Sequence, residues 1–155
     1  MVLFQSNNKN MENFKIDLFV GEYNEDFPEY SHLSESDCTI IMEKLSESFS
    51  VDFSSNIAKK LDERQFFEES INAKEEFGLI DFLQKINVIP LSKIYINWYK
   101  FKDIDFVDLV DMNKYFYDIW FPSADDIDLF DKNFNWIVSI RHDGVISFAF
   151  SGVQS

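Results

Sequence analysis

Catalysis needs a nucleophile, a base or a metal-ligating set at workable spacing, and this chain offers few of them. Its two histidines, His32 and His142, lie far apart in sequence, and its one cysteine is Cys38. Cys38 falls inside an apolar helical stripe, the setting of a small buried hydrophobe, whereas a reactive thiol wants an exposed, electropositive one. There is no glycine-rich phosphate loop, no nucleophile elbow and no zinc-type Cys/His spacing. Carboxylates are abundant instead. Asp125-Asp126-x-Asp128 followed by Asp131 offers the oxygen ligands that Mg²⁺ or Ca²⁺ prefer. Its acidic spacing nevertheless departs from the calcium-loop pattern, and the required glycine is missing. A solvated loop with Ser123 or Asp125 as a helix cap accounts for the same residues without an ion. No metal, no cofactor and no enzymatic activity are expected.

The carboxylates are concentrated. Between Asp103 and Asp131 the chain carries nine aspartates and one cation, Lys114, out of a net charge of −14 over 155 residues. Like charges repel, so a compact domain that keeps such a cluster is expected to use it on a positive partner. If residues 103–111 form a strand, Asp103, Asp105 and Val107 share one face, and Ile104, Phe106 and Asp108 the other. If they form a helix, Asp105, Asp108 and Met112 share a side. In either case Asp105 and Asp108 must be exposed or matched, because burying an unpaired carboxylate is too costly. Tyr115, Tyr117, Trp120 and Phe121 lie among Asp111, Asp118, Asp125 and Asp126, and rings beside carboxylates suit a Lys- or Arg-rich surface. The expected contact set is Asp103, Asp105, Asp108, Asp111, Tyr117, Asp118, Trp120, Asp125, Asp126, Asp128 and Asp131.

The elements that must position these residues can be read from the pattern. Residues 14–20 suit a strand or a short helix, closed by Gly21. Residues 22–33 read as an acidic loop whose Tyr23, Phe27 and Tyr30 fold back on the body. Ser34 with Asp37 opens a helix on which Cys38, Ile41, Met42, Leu45 and Phe49 draw one apolar stripe. A second helix is expected over 56–67 with Phe66 and Phe67 inward, and a third over 73–86, stopped by Pro90. Residues 93–101 read as a strand, 112–121 as a helix and 127–130 as a short strand. Asp143-Gly144 between 136–142 and 145–150 is the signal of a two-residue type I′ hairpin. The fold expected is α+β, an N-terminal helical region packed on a C-terminal antiparallel sheet ending in a β-hairpin, as one domain over 1–155.

Composition excludes several classes. Hydrophobic residues make up 46% of the chain, 18 of them Phe, which argues for a packed core despite the acidity. A single cysteine fits a reducing compartment, and neither a secretory signal nor a membrane-length apolar run is present, so the expected location is the cytoplasm. The acidity argues against direct binding to nucleic acid or anionic lipid. It is compatible with binding a protein that itself binds nucleic acid.

The segment Trp120-Phe121-Pro122-Ser123-Ala124-Asp125-Asp126-Ile127-Asp128-Leu129-Phe130-Asp131, followed by Trp136-Ile137-Val138-Ser139-Ile140-Arg141-His142-Asp143-Gly144, resembles the tail of bacterial immunity proteins of polymorphic toxin and contact-dependent growth inhibition systems. The resemblance covers Trp120 to about Phe150. It implies a small domain that neutralises a cognate toxin, often a basic nuclease, and it transfers no individual site residue. The expectation is therefore an immunity protein with an acidic docking surface. Two alternatives stand beside it: a DNA-mimic inhibitor of a nucleic-acid enzyme, and a small carboxylate-based hydrolase.

Overall fold

The computed structural model describes residues 13–51, 65–99 and 101–151. The helices are α1 (Asn13–Tyr23), α2 (Glu35–Phe49), α3 (Leu79–Lys85), α4 (Leu109–Lys114) and α5 (Phe116–Ile119). The strands are β1 (Tyr30–His32), β2 (Phe66–Glu68), β3 (Lys93–Tyr99), β4 (Asp103–Asp108), β5 (Ile127–Phe130), β6 (Trp136–Ile140) and β7 (Ile146–Phe150). All seven form a single sheet in the order β1-β4-β3-β5-β6-β7-β2, with every pairing antiparallel. The fold is α+β, and it closes with the expected hairpin, β6 to β7.

Strand alternation sends successive side chains to opposite faces, and both faces are covered. On one face Ile94, Ile96, Val107, Leu129 and Val138 pack with Leu79, Leu83, Met112, Phe116 and Ile119 of the short helices. On the other, Tyr95, Ile104, Phe130, Ile137 and Ala149 pack under Cys38, Ile41, Leu45 and Phe49 of α2. This explains why β5 and β6 are buried along their whole length. Helix α2 forms as its sequence dictates: the Ser34 hydroxyl accepts from the Asp37 N–H at 3.2 Å, and the apolar stripe meets the sheet. The Cys38 thiol, 2% exposed, is pushed up to about 11 by burial, as expected of an inert core cysteine.

Several elements differ from the sequence expectation. Most of the helix expected over 56–67 lies outside the described residues. Its last two members, Phe66 and Phe67, are not inward but exposed on β2, where Phe66 pairs across the sheet edge with Phe148. The third helix is shorter than expected because residues 72–74 are held otherwise: Ala73 N–H donates to Gly144 O, the Asn72 amide donates to Asp143 O, and the Asn72 side-chain oxygen accepts locally from Lys74 N–H. Gly78, a poor helix former, then sits at its N-cap. The helix expected over 112–121 is split into α4 and α5 at Tyr115, whose ring packs edge-on against Phe19 at 4.8 Å. The final hairpin does not use a two-residue type I′ loop. Only Gly144 has positive φ, at 87°, and its N–H donates to Arg141 O, which makes a three-residue loop ending in a left-handed glycine.

Candidate functional site

The nine aspartates do not form one wet surface. Asp105, on β4, is fully buried, its oxygens accepting from the Trp98 indole at 3.1 Å and facing His32 Nδ1 at 2.9 Å. Burial holds its carboxyl above the usual range despite those bonds. Asp131 is equally buried and accepts three N–H bonds, from Leu91, Asn133 and the Trp136 indole, which pins the β5–β6 turn. Asp125 takes the buried ammonium of Lys15 at 2.6 Å and the Phe121 N–H at 2.9 Å. Asp128, 7% exposed, binds Asn97, Ser139 and Arg141. Trp120 is also fully buried, its indole donating to Asp125 O. Asp105, Trp120, Asp125, Asp128 and Asp131 are thus matched inside the fold and are corrected from partner contacts to structural residues.

Asp128 belongs to a polar row that the sequence reading missed. Register places Asn97, Asp128, Ser139 and Ser147 side by side across β3, β5, β6 and β7. Asn97 and Ser139 donate to Asp128 at 2.8 and 2.5 Å, and Gln65 bridges Ser139 and Ser147. Each group is satisfied by its neighbours, so the row fixes strand register rather than offering a reactive atom. Its only advance signal was a small or polar residue at each inward position.

The remaining members of the expected set stay at the surface. Asp103, Asp108, Asp111 and Asp118 are partly exposed, Asp126 is exposed, and the Tyr117 ring is 44% exposed. Asp108 caps α4 through the Val110 N–H. Asp126 accepts from the backbone and the imidazole of His142; burial would raise its carboxyl, but those two bonds prevail and hold it below the usual range.

What gathers part of this set is α1, which the sequence left open between strand and helix. Lys15 fastens it: the ammonium donates to Ile119 O at 2.9 Å and lies over the Trp98 and Phe121 rings at 4.4 and 4.9 Å. Phe19 completes the attachment among Tyr23, Phe27 and Tyr115. A groove then runs along each side of the helix. One, of ≈ 460 Å³, has Ile16, Phe27 and Tyr30 beside Glu29, Asp108 and Asp111. The other, of ≈ 480 Å³, has Leu18, Gly21 and Tyr117 beside Asp17, Glu22 and Asp118. The loop between α1 and β1 adds the exposed Glu25 and Asp26. Among the described residues, no cation forms an ion pair with Asp17, Glu22, Glu25, Asp26, Glu29, Asp111 or Asp118. The Tyr23 hydroxyl is pushed up to about 12, first by its hydrogen bond to Asp118 and then by burial and the surrounding negative charge.

Among the described residues, no cluster of three or more His, Cys, Asp or Glu is arranged to hold a metal ion. No described helix is long and apolar enough to cross a membrane. The chain matches no family model, no curated protein and no solved structure.

Proposed function

We propose that the protein is an immunity-type inhibitor that binds a basic effector domain, with a nuclease as the kind of effector such acidity best suits. The observation that carries this reading is the face built around α1. There Asp17, Glu22 and Asp118 line one groove with exposed Leu18 and Tyr117, and Glu29, Asp108 and Asp111 line the other with Ile16, Phe27, Tyr30 and Lys93. Apolar anchors ringed by carboxylates suit a cationic protein surface, the rings supplying contact area and the charges steering encounter. The acidic segment that bears the family resemblance contributes differently. Its Asp125, Asp128 and Asp131 are consumed by the fold. Inward-turned carboxylates also interrupt the evenly spaced row that a DNA mimic would need, which favours a protein partner.

The test is titration of the effector domain encoded beside the gene, at several salt concentrations. Tight binding that weakens steeply with salt, together with loss of effector activity in the complex, is expected. No complex at low salt would overturn the reading.

A further inference from the structure

The groove between α1 and α5 has the form of a receptor for one long, charged side chain. Its walls are the Leu18 side chain and the Tyr117 ring, and its rim carries Asp17, Glu22 and Asp118. Tyr117 is held still: its hydroxyl donates to Ala73 O at 2.6 Å, and Phe116 and Trp120 pack edge-on against the ring at 5.0 and 6.3 Å. It nevertheless leaves 44% of its surface open. A ring fixed in advance loses little entropy when something stacks on it. Room comes from Gly21, where an added Cβ would meet nothing within 4 Å. The one cation in the lining, Lys15, is 1% exposed and already paired with Asp125, so it does not oppose an incoming charge at the rim.

We infer that this groove takes an arginine side chain of the basic partner, the guanidinium stacking on Tyr117 between Asp17, Glu22 and Asp118 and the aliphatic stem lying on Leu18. Arginine fits better than lysine because its planar, weakly hydrated head stacks on an aromatic face and reaches two carboxylates at once. The inference rests on the proposed reading of a basic partner and names the chemistry of its anchor.

Gly21 supplies the test, because its position is solvent-open and the fold makes no demand on it. The probes are N-acetyl-arginine amide and its uncharged citrulline analogue, followed by the amide signals of Gly21, Glu22 and Asp118 and the ring signals of Tyr117. A nona-arginine peptide is the second probe, followed by affinity at low and high salt. The arginine amide should shift those signals saturably and bind at least tenfold more tightly than the citrulline amide. Gly21→Phe should abolish the shifts while thermal stability is kept, and Asp17→Asn with Asp118→Asn should weaken them at least fivefold. Equal binding of citrulline, shifts centred elsewhere, or full binding by Gly21→Phe would overturn the groove assignment. If the arginine amide fails here while nona-arginine still binds in a salt-sensitive way, the acidic face stands without this anchor. If neither probe binds at low salt, the inference and the reading beneath it fall together.

Discussion

A buried ammonium destabilises a fold unless its charge and hydrogen bonds are met, and Lys15 meets both conditions with Asp125, Ile119 O and two aromatic rings. Removing one partner leaves the other uncompensated. Lys15→Met is expected to lower unfolding free energy by about 3 kcal/mol, read from the denaturant midpoint, and adding Asp125→Asn should restore part of it. A loss below about 1 kcal/mol, the range of an exposed pair, would show that this pair does not hold α1. Asp105 behaves in the opposite sense. Its carboxyl is held above the usual range by burial, so it favours folding only when protonated. That contribution is complete below the unfolded-state pKa and is lost as pH rises through the folded one. Asp105→Asn should therefore raise stability near pH 8 by about 1 kcal/mol, keeping the Trp98 bond, with the gain vanishing as pH falls into the carboxylate range. An unchanged or lower midpoint at pH 8 would contradict this. Neither residue's role was visible in sequence, because Lys15 and Asp125 are 110 positions apart and His32 and Asp105 are 73 apart.

At the scale of elements, legibility followed locality. Helix α2 was readable because its cap and apolar stripe are contained in 16 consecutive residues, from Ser34 to Phe49. The final hairpin was readable because Asp143-Gly144 separates two aliphatic and aromatic runs. The edge strands β1 and β2 were not, since each has three residues and exists only through its pairing with β4 or β7. The loop type was misread for a related reason: Asn72 approaches Gly144 from outside the hairpin, which a local motif cannot report. A Cβ at Gly144 would lie 2.0 Å from Asn72 Oδ1 and 2.9 Å from Lys74 N, at a φ of +87° that L-residues rarely adopt. Gly144→Ala should cost about 2 kcal/mol or more, through backbone strain and loss of the 72–74 dock. Thermal unfolding checks it, and a change within about 0.5 kcal/mol, the range of a neutral surface substitution, would mean the loop relaxes freely.

For the whole molecule, the net charge of −14 was legible at once, but its distribution was not. Charge density along the chain pointed to residues 103–131, while folding draws Asp105, Asp125, Asp128 and Asp131 inward. Asp17, Glu22, Glu29, Asp111 and Asp118, which have no described ion pair, line the grooves beside α1 instead, and three of these five come from the first 30 residues. The inward aspartates are matched within the fold, and exposed ones remain available to a cationic surface. The central claim is that recognition belongs to this second group. Its most direct measurement is affinity for the basic effector domain at low and high salt, comparing wild type with Asp17→Asn/Glu22→Gln/Asp118→Asn and with a control, Glu35→Gln/Glu43→Gln/Glu47→Gln, that removes equal charge from exposed positions of α2 on the other face of the sheet. The account predicts at least a tenfold loss and a flatter salt dependence for the first variant, with little change for the control. Equal losses in both variants, or none in the first, would contradict it.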